Sequence, residues 1–130
     1  MPEFFDVATY DYTKVQAVND IPDTYTEVAR LVTPVREEGV YIIGFSLTWG
    51  YDQANKSVFM RFSIDAGGSW TELISEPSDT DDVRAFTYAF PKERSQGIFD
   101  MRFEARKQDT SGLFNIGFLD VWYDRKGDIA

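Results

Sequence analysis

Apolar and polar side chains alternate with period two along most of this chain. Between residues 58 and 65, Val58, Met60, Phe62 and Ile64 fall on one side, and Phe59, Arg61, Ser63 and Asp65 on the other. That is the signature of a strand with one buried face. The same alternation runs through 40–49, where Tyr41, Ile43, Phe45, Leu47 and Trp49 share a face and Ser46 and Thr48 lie opposite. It recurs in 84–90, which gathers Phe86, Tyr88 and Phe90. In 98–106 Phe99, Met101, Phe103 and Ala105 point inward against Asp100, Arg102, Glu104 and Arg106. Segments 26–32 and 70–74 read as further strands, and 14–18 as a short one. The last, 113–123, loses its alternation at Gly117, which predicts a bulge. Turns and breakers separate these segments: Thr33-Pro34, Glu37-Glu38-Gly39, a polar loop over 50–56, Pro91, and 108–112. Pro91 is expected to end the strand before it. No helical period lasts more than about two turns.

Seven or eight strands at regular spacing predict an all-β sandwich or barrel. Aromatic residues on every inner face favour two antiparallel sheets packed ~10 Å apart. At 130 residues the chain reads as one domain. Within it the first 24 residues differ. They are aromatic without a sustained period and are interrupted by Pro2, Asn19-Asp20 and Pro22-Asp23. The reading is therefore an N-terminal arm over 1–24 and a sandwich over 25–130. The arm either lies along its own domain or docks Phe4, Phe5, Tyr10 and Tyr12 on a neighbouring subunit.

The stretch Ser63-Ile64-Asp65-Ala66-Gly67-Gly68-Ser69-Trp70 joins two of the strands into a hairpin. Asp65 can accept from backbone N–H groups further along the turn, and the glycines can take positive φ at little cost. This stretch resembles the Asp-box pattern, Ser-x-Asp-x-Gly-x-(Ser/Thr)-Trp. The resemblance implies a structural turn in which Ser63, Asp65, Gly67, Ser69 and Trp70 hold the loop. Sialidase-like propellers carry several such boxes and this chain has one, so sialidase chemistry does not carry over. The chain looks more like the jelly-roll sandwiches with a single box, as in reelin-type repeats. Its closing segment, with Leu119-Asp120-Val121 in place of the family's Ile-Asp-x-Val strand, is similar to theirs. Cysteine-free single-box jelly rolls of this size also look like accessory proteins of bacteriophage particles.

Composition narrows the chemistry. There is no His and no Cys, which removes Ser-His-Asp and Cys-His nucleophile systems, His- or Cys-based zinc sites and disulfides. A net charge of −9 argues against a nucleic-acid partner, which needs clustered Lys and Arg. No apolar run reaches the ~18 residues of a membrane helix, and no secretory signal pattern opens the chain. Glu76-Pro77-Ser78-Asp79-Thr80-Asp81-Asp82 offers oxygen ligands for calcium, but without the spacing or glycine of an EF-hand. A solvated loop is expected there, and no metal or cofactor.

The leading expectation is a non-enzymatic virion protein, a bacteriophage capsid decoration or cement protein. It would be homo-oligomeric (a trimer by analogy) and bind major capsid or other virion proteins through its arm and sheet edges. The alternative is a carbohydrate-binding module that stacks sugars on Trp49 and Tyr51. A remote glycosidase would need a carboxylate pair that no spacing among the 22 acidic residues singles out.

Overall fold

The computed structural model describes residues 10–53, 56–75 and 83–129. Eight strands make up the fold: β1 (Tyr10–Val18), β2 (Thr26–Val32), β3 (Gly39–Tyr51), β4 (Val58–Ser63), β5 (Thr71–Ser75), β6 (Arg84–Arg94), β7 (Asp100–Lys107) and β8 (Phe114–Gly127). They form two four-stranded sheets, ordered β1-β8-β3-β6 and β2-β7-β4-β5, with every ladder antiparallel. The chain changes sheet at every connection except the β4–β5 hairpin. That is the double-Greek-key connectivity of a jelly roll.

The alternation read from the sequence sets which side chains enter the space between the sheets. From β3 come Tyr41, Ile43, Phe45, Leu47 and Trp49, and from β8 Leu119, Val121 and Tyr123, all buried. The facing sheet supplies Val58, Met60 and Phe62 from β4, and Met101, Phe103 and Ala105 from β7. Rings meet edge-on across the gap. Phe45 and Phe103 centroids lie 4.8 Å apart, as do Tyr41 and Phe99. Such tilted contacts add to plain burial because ring edges are positive and ring faces negative. Two buried polar side chains tie loops to this core. Arg36 donates from Nε to the Tyr123 hydroxyl at 2.6 Å, and the Thr33 hydroxyl accepts from the Phe99 N–H at 3.0 Å.

Gly117 sits at a bulge: the β3–β8 register shifts so that Thr48 faces Phe118 and Trp49 faces Ile116, leaving Gly117 over. Other boundaries moved. Pro91 does not end its strand, because β6 continues through it, opposite Ile42, as far as Arg94. β6 pairs only with β3, so a residue without an N–H is tolerated on its free side. The last strand runs past Tyr123 to Gly127, held by Arg125 donating to the Glu38 carbonyl at 2.8 and 3.1 Å. β1 begins at Tyr10 and pairs along its length with β8, so the first sheet takes in residues that the sequence pattern assigned to the arm. At Gly44 a Cβ would come within 2.4 Å of the Tyr88 carbonyl oxygen; only glycine lets β3 and β6 approach so closely there.

The two lateral sides of the sandwich differ. On the β1/β2 side the connecting segment is sewn down. Ile21 is buried and donates its N–H to the Phe114 carbonyl at 2.9 Å, and Lys107 donates to the Pro22 carbonyl at 2.9 Å. On the other side β5 ends one sheet and β6 ends the other, with no ladder between them among the described residues.

Candidate functional site

The hairpin turn lies at one end of that open side. The Ser63 hydroxyl donates to Asp65 Oδ1 at 2.8 Å and accepts from the Gly67 N–H at 2.8 Å. Asp65 Oδ1 also accepts from the Ser69 N–H at 2.9 Å. The Ser63 hydroxyl, and then the Ser69 N–H, hold the Asp65 carboxyl below the ordinary carboxylate range. Positive φ falls on Ala66 (60°) and Gly67 (88°) rather than on both glycines. The Trp70 ring lies against Gly67, 3.3 Å from where a Cβ would stand, and its outer side carries the Arg61 guanidinium at 4.1 Å.

Between this turn and β6 opens a cleft of about 630 Å³, walled by Trp70, Phe90 and Ile98 and edged by Asp65, Lys92 and Arg94. Half-buried Arg94 clamps its end, donating to the Ile64 carbonyl at 3.0 Å with its guanidinium 4.5 Å from the Phe99 ring centroid. Burial pushes the Arg94 pKa down, while the charges of Asp65 and Tyr41 act the other way. Further along the same side a smaller recess of about 240 Å³ lies among Trp49, Met60, Leu73 and Phe86. Phe86 is 37% exposed and Ile74 is 66% exposed, while Tyr88 and Phe90 are half-buried. On β6 the side chains that the alternation aims at the core, Phe86, Tyr88 and Phe90, are thus incompletely covered, while Ile74, opposite Phe59, stands on the outer face of β5.

The other sequence candidates fall apart spatially. Phe4, Phe5 and the acidic loop 76–82 lie outside the described residues. Tyr10 opens β1, and Tyr12, 48% exposed, stands on that strand's outer side. Trp49 and Tyr51 are 3% and 1% exposed, with edge-on or tilted contacts to Phe114, and Tyr51 donates to the Ser111 carbonyl at 2.7 Å. Rings packed in this way present no face to a sugar. Among the described residues no three His, Cys, Asp or Glu side chains gather closely enough to hold a metal ion.

The outer faces of the two sheets were not singled out by the sequence reading, and they contrast. On the β2-β7-β4-β5 sheet, charges satisfy one another. Asp100 receives Arg30 and Arg102, Glu104 receives Arg61, and Arg106 stacks 3.9 Å from the Phe59 ring. On the β1-β8-β3-β6 sheet the register lines up three rows. One holds Tyr12, Trp122, Gly44 and Ala89; the next Lys14, Asp120, Ser46 and Thr87; the third Gln16, Phe118, Thr48 and Ala85. Directly opposed residues of an antiparallel ladder share a face. Asp120 stands in the middle row with Oδ1 enclosed and without a hydrogen-bond partner. Burial raises its pKa, against the pull of Lys14.

No protein-family model matches the chain, and no curated protein is similar to it. Among solved structures, dimeric latent PorU from Porphyromonas gingivalis is similar, with 15% identity and a TM-score of 0.47. The similarity covers 92% of this chain and 13% of that one, so the chain spans about an eighth of that protein's length. A likeness this slight says nothing of what the chain does.

Proposed function

We propose that this protein is a non-enzymatic assembly module, with the role of an accessory or decoration protein of a bacteriophage particle. It joins copies of itself and a larger shell through the open β5/β6 side. The observation that carries the reading is the exposure of Phe86 on β6, of Ile74 on β5 and of Ile98 in the loop after β6, beside two edge strands that share no ladder among the described residues. Uncapped edge strands present free N–H and C=O groups to a neighbouring chain, and half-covered apolar side chains gain burial when one arrives. At its far end β6 carries Pro91, Lys92 and Glu93, which blunt strand addition there. The Ala85–Ala89 half lacks such guards and is the expected contact. The single-box resemblance and the absence of His and Cys support the same reading. Binding of this kind stabilises the assembled state by mass action and requires no chemistry.

Sedimentation velocity on the full chain tests it. A homo-oligomer is expected that reverts to monomer in the Ile74→Lys/Ile98→Lys variant, whose sites are exposed enough to leave the fold alone. A wild-type chain that stays monomeric at all concentrations removes the self-assembly reading. Mass spectrometry of purified virus particles from the source tests the setting, and the chain's absence from them removes it.

A further inference from the structure

We infer that the outer face of the β1-β8-β3-β6 sheet binds a neutral oligosaccharide laid across its strands, at a site centred on β8 whose far end reaches β6. The argument does not depend on the assembly reading. It starts from the three rows fixed by the ladder register. The outer rows each place a large ring on β8, Trp122 in one and Phe118 in the other, and Tyr12 extends the Trp122 row onto β1. Trp122 and Phe118 are four residues apart on one strand, about 13 Å at the usual strand rise. Between them lies a row made only of hydrogen-bonding side chains: Lys14, Asp120, Ser46 and Thr87. Ser46 and Thr87 are already joined, the Thr87 hydroxyl donating to Ser46 at 3.2 Å.

Rings that flank a polar row suit a pyranose. Its C–H face is apolar and stacks on an aromatic ring, while its equatorial hydroxyls donate to carboxylates and exchange bonds with Ser and Thr. Asp120 brings a carboxylate into that row; its Oδ1 is enclosed, which leaves Oδ2 as the acceptor a sugar hydroxyl can reach. Across β3 and β6 the neighbouring outward positions hold only small residues, Gly44, Ala89, Thr48 and Ala85. Among the described residues nothing long stands on these two strands; on β1 the Lys14 ammonium lies 5.5 Å from the Tyr12 ring centroid and 5.9 Å from that of Phe118, which leaves Trp122 as the ring free of it. The charge of the face is close to balanced, Lys14 against Asp120, on a protein of net charge −9. An anionic polymer is therefore disfavoured, and a neutral one is the fit. A protein partner would also cover the rings, but it would have to bring a donor to Asp120 and match a wholly polar middle row.

The test uses the full chain on an array of neutral α- and β-linked hexose oligosaccharides, with sialylated and sulfated glycans as charged counterparts. Retention of at least one neutral glycan is expected. Titration calorimetry with that glycan should then show Trp122→Ala and Asp120→Asn each weakening binding about tenfold or more. Ala89→Arg, which adds bulk on the exposed face without touching the core, should abolish binding with its melting curve unchanged. This variant keeps the test open if Trp122→Ala fails to fold. Glu72→Gln, on the other sheet, should bind as wild type. Failure to retain any neutral glycan, retention of charged glycans alone, or binding indifferent to Ala89→Arg would each overturn the inference. So would loss of an oligomer, rather than of a glycan, in Trp122→Ala, whose ring lies on β8 away from the β6 edge; it would show that the face is covered by protein.

Discussion

Phe45 is where the two sheets are most tightly joined, and replacing it by Ala measures how much that junction contributes. Its side chain is fully buried. Its ring centroid lies 4.8 Å from that of Phe103 and 5.2 Å from that of Phe62, both on the opposite sheet. It lies 5.9 Å from Tyr88 and 6.0 Å from Phe86 on the neighbouring strand. Truncating a buried Phe to Ala costs about 3–5 kcal/mol, because transfer energy is lost and a cavity remains. Four ring partners place this site at the upper end, since aromatic pairs contribute about 0.5–1.5 kcal/mol beyond area. A loss of about 4–5 kcal/mol is expected from a total that for such a domain is about 5–15 kcal/mol. For a chain of this size that is a drop of roughly 15 °C in Tm. Phe45→Leu should cost only about 1–1.5 kcal/mol by keeping most of the volume. Ile74→Ala, at a 66% exposed site, should stay within about 0.5 kcal/mol. Urea unfolding at constant m-value is the assay. If Phe45→Ala loses less than about 2 kcal/mol, the sheets are not held together by these rings and the packing argument fails.

Two further expectations concern the turn and the carboxylates. Asp65→Ala removes the acceptor for Ser63 and for the Ser69 N–H and should cost about 1–2 kcal/mol in urea unfolding. Gly67→Ala should cost about 1 kcal/mol or more, because φ there is 88° and the Trp70 ring crowds the new Cβ; an unchanged midpoint for both would mean the turn is not held as described. Acid should destabilise the fold through Asp65, Asp100 and Asp109. The hydroxyl of Ser63 depresses the first, Arg102 and Arg30 the second, and Lys56 the third, to about 2. Depressed carboxylates contribute stability above their unfolded pKa of about 3.9, and it is lost as pH falls through the folded values. Thermal melts should therefore fall steeply from about pH 4 towards pH 2, while Asp120, whose pKa burial raises, acts in the opposite sense and costs stability as pH rises above that; a flat Tm between about pH 4 and pH 2 would contradict these pairings.

Period-two alternation by itself determined the class of fold, most strand positions and nearly the whole core. Tyr41 to Trp49, Val58 to Phe62 and Phe99 to Ala105 were legible as inward rows because one residue of slip would expose every member. The bulge at Gly117 was legible for the same reason. What the pattern cannot encode is which strands become neighbours, because any two alternating strands are locally compatible. Pairing β6 at an edge made Pro91 harmless, and pairing β1 to β8 turned the end of an expected arm into sheet. Tertiary packing also decided that Tyr51 is buried while Trp122 and Phe118 face out, since strand parity names two faces without saying which is covered. The open β5/β6 side and the rows around Asp120 exist only once distant segments are brought into register. The alignment of residues 14, 120, 46 and 87 leaves no mark on the sequence of any one strand.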